Sequence, residues 1–161
     1  MKKILLAILF VGSSVATCLA QKSNDASKFS IGLEAGIPTG SFGDFYNLAI
    51  GGSLKYDINI SEGTYFNISA GYTSFSGKNG FPSTGFIPVK VGVKNYFSEG
   101  FYGEAQVGAA KSTESGGGTA FAYAPGIGYT FAGGFDIGVR YEAWSKNGTI
   151  SQIATRIAYS F

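Results

Sequence analysis

The sequence predicts an all-β fold: an eight-stranded antiparallel up-and-down transmembrane β-barrel with its apolar face outward. Three observations carry this. From Phe29 onward apolar residues recur at every second position, the period of strands rather than helices, in eight blocks of the ~9–11 residues that a tilted strand needs to cross hydrocarbon. The intervening positions are mostly Gly, Ala, Ser and Thr, whereas a solvated face would be rich in Lys and Glu. Aromatic side chains gather at the block ends, where a lipid–water interface favours them.

Composition narrows the reading further. At 161 residues the chain makes one domain. With 45% hydrophobic residues and a net charge of +2, it can bury a core and is not a disordered chain. Glycine is 25 of 161 residues and charged residues are 14%, the first well above and the second well below the usual ~7% and ~25%. Without histidine and with a single cysteine, the chain builds no disulfide framework, no Cys/His zinc site and no Ser-His-Asp or Cys-His catalytic arrangement. The few basic residues are scattered rather than clustered, which argues against a nucleic-acid partner.

Residues 1–20 read as a secretory leader. Lys2 and Lys3 precede an apolar run from Ile4 to Val11, and Cys18-Leu19-Ala20 sets small residues at the −3 and −1 positions, so cleavage is expected between Ala20 and Gln21. Val15-Ala16-Thr17-Cys18 offers a second reading, lipid attachment at Cys18, although Thr17 fits such a box poorly. Loss of Lys2 and Lys3 leaves ten basic residues, equal to the ten acidic ones, so no strong electrostatic partner follows. Residues 21–28 form a short N-terminal segment and 29–161 the barrel.

The eight segments follow in order. Phe29 to Ile37 sets Phe29, Ile31, Leu33, Ala35 and Ile37 against Ser30, Gly32, Glu34 and Gly36. Leu48 to Ile58 sets Ile50, Leu54, Tyr56 and Ile58 against Gly51, Ser53, Lys55 and Asp57. Phe66, Ile68, Ala70 and Tyr72 alternate with Asn67, Ser69, Gly71 and Thr73, and Ile87, Val89, Val91 and Val93 with Pro88, Lys90, Gly92 and Lys94. Phe101 to Ala109 sets Ala105 and Val107 against Glu104, Gln106 and Gly108. Phe121 to Phe131 interleaves Phe121, Tyr123, Ile127 and Tyr129 with Ala122, Ala124, Gly126 and Gly128. Phe135, Ile137, Val139 and Tyr141 oppose Asp136, Gly138, Arg140 and Glu142. Last, Ile153, Ile157, Tyr159 and Phe161 alternate with Gln152, Ala154, Arg156 and Ala158. Pro88 and Pro125 each remove a ladder donor and predict a bulge or a strand end.

The connections alternate in length. Pro38–Asn47, Ser76–Gly85 and Lys111–Thr119 are long and share their end with Ser145–Thr149, this set carrying turn chemistry at Asn79-Gly80, Gly116-Gly117-Gly118 and Asn147-Gly148, while Asn59–Gly63, Asn95–Gly100 and Ala132–Gly134 at the other end are all short. Short turns at one end and longer loops at the other mark an outer-membrane barrel. Tyr56, Tyr65, Phe66, Phe97, Phe101, Phe131, Phe135, Tyr159 and Phe161 all fall near the short-turn end and are read as its girdle.

The leader, the eight alternating segments and the terminal Phe161 together resemble the small outer-membrane β-barrel family that includes OmpX and the OmpA transmembrane domain. Glycine-rich strands such as Pro125-Gly126-Ile127-Gly128-Tyr129 look most like the porin-family "outer membrane protein beta-barrel domain" proteins. The resemblance implies outer-membrane lipid as the surroundings. It also implies that Ile157, Tyr159 and Phe161 form the C-terminal signal read by the barrel insertion machinery.

Under this register ten ionisable side chains face the lumen: Glu34, Asp57, Glu104, Asp136 and Glu142 against Lys55, Lys90, Lys94, Arg140 and Arg156. Buried charges must pair, and strand adjacency predicts Lys90 or Lys94 with Glu104, and Arg156 with Glu142 and Glu34. The result would be a network that plugs the barrel. The same residues admit a narrow ion path, although eight strands leave no porin-sized channel.

Glu34, Glu104 and Glu142 in a filled lumen leave no room for the sugar of a glycosidase, and Gly116-Gly117-Gly118 lacks the Lys and helix of a phosphate loop. No cofactor and no catalytic residue is expected. Phe42, Phe45 and Tyr46 in the first loop are a candidate contact patch for a surface partner. The expected role is structural or surface-interacting, with a small-solute channel as one alternative. A soluble lipocalin-like barrel, its apolar face inward around a ligand, is the other.

Overall fold

The computed structural model describes residues 27–161, so the leader, its cleavage point and Cys18 lie outside the described residues. Eight strands follow one another as hairpins: β1 (Lys28–Thr39), β2 (Tyr46–Ser61), β3 (Thr64–Gly77), β4 (Thr84–Tyr96), β5 (Phe101–Ser112), β6 (Thr119–Thr130), β7 (Phe135–Ser145) and β8 (Thr149–Ser160). One helical turn, α1 (Phe42–Phe45), sits in the loop between β1 and β2. Every strand pairs antiparallel with its sequence neighbours, and β1 pairs with β8 through Ser30↔Ser160 and Glu34↔Arg156 to close the barrel. Closure leaves no edge strand, so every ladder finds a partner inside the fold.

The wall is inverted relative to a water-soluble barrel. Leu33, Ile37 and Ile127 are 77%, 66% and 67% exposed, while Asn67, Lys55 and Glu142 on the opposite face are at most 4% exposed. An outer surface of Ile, Val, Leu and Phe on every strand is stable against hydrocarbon and not against water. The lipocalin-like alternative is thereby overturned, because the apolar face it needs for a ligand points outward.

Pro88 and Pro125 produce neither a bulge nor a strand end. The β3–β4 ladder keeps one register through Ala70↔Val89 and Thr73↔Phe86, and β6–β7 through Tyr123↔Ala143 and Gly126↔Arg140. Pairing is skipped only beside each proline, on the side where its missing N–H would have donated, and the opposite ladders run through Pro88↔Ala110 and Ala105↔Pro125. Register shifts occur instead in β2, between Tyr46 and Leu48 and between Asn59 and Ser61.

Lumen glycines make room for large neighbours. A Cβ at Gly32 would stand 2.7 Å from Arg156 Nε, and one at Gly138 would stand 2.8 Å from the Tyr102 hydroxyl. In the β3–β4 loop, Asn79 (φ 50°) and Gly80 (φ 86°) occupy the left-handed region that turn residues of these types tolerate.

Candidate functional site

The lumen is filled by side chains in three zones. At the short-turn end, Lys94 Nζ donates to Asp136 Oδ2 at 3.2 Å, stands 3.9 Å from Asp57 Oδ2 and lies 3.8 Å from the centre of the Tyr102 ring. Tyr102 and Thr130 donate to the two oxygens of Asp136, each at 2.8 Å, and the Tyr96 hydroxyl lies 2.8 Å from that of Thr130. Tyr65 is 5% exposed and packs edge-on to Tyr96. It therefore turns into the lumen and does not join the girdle, as its shared parity with Asn67 requires.

In the middle zone Lys55 Nζ donates to Glu104 Oε1 at 2.7 Å, and Asn67 donates to the same oxygen at 2.9 Å. Arg140 bridges two carboxylates, donating from Nη2 to Glu34 Oε2 at 2.6 Å and from Nε to Glu142 Oε2 at 2.9 Å. Lys90 Nζ donates to the other oxygen of Glu142. Arg156 donates from Nε to the Ser53 hydroxyl at 2.9 Å and from Nη2 to the Ser30 hydroxyl at 3.1 Å, and Ser53 in turn donates to Glu34 at 2.6 Å.

All ten lumen charges have an opposite charge within 4 Å, but several partners differ from those that strand adjacency predicts. Glu104 is held by Lys55, not by Lys90 or Lys94, and Glu142 by Lys90 and Arg140, not by Arg156. Arg156 does reach Glu34, at 3.7 Å. The reason is geometric. In so narrow a barrel a long side chain spans the lumen, so β2 pairs with β5, β4 with β7 and β7 with β1.

The loop-end zone is aromatic. Trp144, Phe75 and Phe86 are 2%, 0% and 7% exposed, with ring centres 4.9–5.9 Å apart. Ala49, Ala110, Ala120 and Ala122 leave the space they fill. Trp144 Nε1 donates to Glu142 Oε1 at 3.2 Å, joining this cap to the charged zone. The sequence reading missed the cap. Its signal was parity: Phe75 follows Thr73, Phe86 precedes Pro88 and Trp144 follows Glu142, each two residues along the inward face.

The cap also corrects the loop patch. Phe42 stacks on Tyr46 at 4.4 Å and meets Phe75 edge-on at 5.1 Å, so both Phe42 and Tyr46 close the lumen from above and are not displayed. Of the three, Phe45 alone is exposed, set edge-on against Phe81 of the next loop at 5.1 Å. Lys78 fastens that loop to α1, its backbone N–H donating to Phe45 O at 2.8 Å and its Nζ to Gly43 O at 2.6 Å. At the short-turn end Ile157, Tyr159 and Phe161 point outward, with Tyr159 packed on Phe135 and Phe161, and the Phe161 N–H donates to Phe29 O at 2.8 Å.

Two lumen cavities of about 20 Å³ each share Lys55, Glu104, Arg140 and Arg156 as lining. Each has room for about one water, which needs ~10–15 Å³. Neither admits a sugar or a lipid. Among the described residues no cluster of His, Cys, Asp or Glu is placed to hold a metal ion.

No family model and no curated protein sequence matches the chain. Solved structures do match in fold. The crystal structure of Ail, the attachment invasion locus protein of Yersinia pestis, is 22% identical with a TM-score of 0.60, over 84% of this chain and 97% of that one. The N-terminal β-barrel domain of Pseudomonas aeruginosa OprF is 11% identical with a TM-score of 0.59, over 83% and 97%. The outer-membrane enzyme PagL is 16% identical with a TM-score of 0.64, over 81% and 98%. At such identities the likeness speaks to architecture alone, and on architecture it agrees with the strand topology: this chain shares the fold of the small eight-stranded outer-membrane β-barrels.

Proposed function

We propose that the protein is an integral barrel of the outer membrane with a structural or surface-interaction role, exported by its leader and closed to solute flow. The lumen carries this reading. Its middle is crossed by ion pairs from wall to wall, and Phe75, Phe86 and Trp144 fill it at the loop end. A barrel so filled works through its two outer surfaces, the apolar belt against lipid and the loops against neighbours. Ile157, Tyr159 and Phe161 serve as the element that the insertion machinery reads, and Phe45 with Phe81 is the apolar spot that the loop end offers a partner. The neighbours of like fold include an enzyme, PagL. The absence of histidine and the ion-pairing of Glu34, Glu104 and Glu142 favour a non-enzymatic barrel here.

Planar-bilayer recording of the refolded protein tests the closed lumen. The expected result is a membrane without discrete conductance steps, and without them also after Phe42→Ala, because the ion pairs lie beneath the cap. Regular steps in the wild type would replace this reading with the narrow-channel one.

A further inference from the structure

We infer that the outer wall of the barrel carries, at its loop end, a binding site for the phosphate of an outer-leaflet lipid, formed by Lys111 and Tyr72. The inference rests on the reading of the chain as an outer-membrane barrel with its longer loops outward. Among the described residues Lys111 is the one charged side chain on the outward face of a strand. Ten charges fill the lumen, Lys28 lies over the inward ring of Tyr65, and Asp44, Glu62, Lys78, Glu99, Glu114 and Lys146 stand in turns and loops. Lys111 is exposed, shares its parity with Phe101, Ala105 and Val107, and lies between Ile87 and Thr119 of the adjoining strands. A charge on this face is tolerated at headgroup depth and is costly at the bilayer midplane. The depth fits. Lys111 stands ten residues along β5 from Phe101 of the short-turn girdle. At ~3.3 Å per residue and a tilt of roughly 35–45°, that stretch rises about 25 Å, the height of an apolar band.

Tyr72 stands at the same level. The registers Thr73↔Phe86 and Ile87↔Lys111 set Tyr72 of β3 beside Ile87 and, beyond it, Lys111. Tyr72 is half-exposed and leans over Gly85 of β4: a Cβ there would meet the Tyr72 hydroxyl at 2.5 Å and the Thr113 hydroxyl at 2.6 Å. The bare glycine lets the phenol lie across β4 toward β5, the strand of Lys111. Thr113 is already engaged, donating to Gly85 O at 3.0 Å. Among the described residues the Tyr72 hydroxyl has no hydrogen-bond partner and Lys111 no ion-pair partner, and no strand presents a carboxylate outward. Two donors thus share one level of the wall without an acceptor from the protein. Headgroup phosphates of the outer leaflet supply anionic oxygens at this depth. An ammonium that snorkels to them gains a charge-assisted hydrogen bond and the attraction of an anionic surface, and the phenol adds a neutral donor beside it.

Native mass spectrometry of the detergent-refolded protein tests the site, with lipid A, a phosphorylated acylated disaccharide, as the probe. Wild type is expected to retain lipid A in preference to its dephosphorylated form. Retention should fall about fivefold in Lys111→Gln, the effect of one lysine beside anionic lipid, and by less in Tyr72→Phe. Lys146→Gln, which removes an equal charge from the β7–β8 loop, should retain lipid A as wild type does. Equal retention of the two lipids by wild type overturns the site without recourse to any variant. Equal losses in Lys111→Gln and Lys146→Gln make the preference one of net charge and overturn it as well. Displacement of lipid A by inorganic phosphate makes the ligand a free anion and overturns the lipid assignment. The heat-dependent mobility of the wild type in SDS separates the two readings: a protein without that shift refutes the barrel itself, and one that shows it without a lipid preference refutes the site alone.

Discussion

The middle of the lumen and its loop end lie on the same face of the same strands, yet they are filled in opposite ways. Glu142 and Trp144 are successive inward residues of β7: one sits among Lys90 and Arg140, the other against Phe75 and Phe86. Below, the filling is electrostatic and directional. Above, it is aromatic and held by contact area, with α1 folded onto it. The comparison shows that in a membrane barrel, whose apolar face is committed to lipid, the inner face is free to be closed by either chemistry. It also predicts that the two zones respond differently to conservative replacement.

The largest effect is expected at Glu142. Glu142→Ala strands Lys90 and leaves Arg140 half-paired in a buried site, and removing one partner of a buried ion pair costs roughly 3–5 kcal/mol. Urea unfolding from lipid vesicles measures it. The matching change above is Trp144→Ala, for which truncating a buried aromatic costs about 3–5 kcal/mol. Here the loss should be recovered in part by Trp144→Phe, because ring packing dominates and the single hydrogen bond to Glu142 adds little. No comparable rescue is expected of Glu142→Gln, which keeps the shape and loses the charge.

A smaller effect is expected of Arg156→Ala, since this side chain hydrogen-bonds two hydroxyls and reaches its carboxylate only at 3.7 Å. Hydrogen bonds from a charged donor are worth roughly 1.5–3 kcal/mol each, offset in part because the buried guanidinium charge is removed with them. If Arg156→Ala proved as damaging as Glu142→Ala, the lumen pairing described above would be wrong. The smallest separates the two loop phenylalanines: Phe42→Ala should lower stability and Phe45→Ala should leave it within about 0.5 kcal/mol, the range of an exposed site.

The eight strands, the parity of their faces and the closing β1–β8 seam were legible in the sequence, because a two-residue period sorts each strand into two faces and the small residues of the polar face suit a narrow lumen. The identity of the ten lumen charges followed from the same parity. Which charge meets which did not, because strand adjacency is written in the order of the segments, whereas a side chain such as Lys55 reaches Glu104 three strands away across a narrow lumen. The cap was hidden for a different reason: Phe75, Phe86 and Trp144 are apolar residues on the polar face, where chemical type and parity disagree. Tyr65 escaped in the same way. Phe42 and Tyr46 depended on α1, a single turn whose N-cap Ser41 makes no side-chain capping hydrogen bond.

The closed barrel carries its apolar side chains outward and its charges within. Electrophoretic mobility in SDS, with and without boiling, of protein recovered from the outer-membrane fraction or refolded in detergent tests this most directly. A folded form that resists SDS unheated and changes mobility on boiling is expected. A chain that stays soluble without detergent and migrates identically before and after heating would contradict it, and would put Glu34, Lys55 and Arg156 on a water-facing surface.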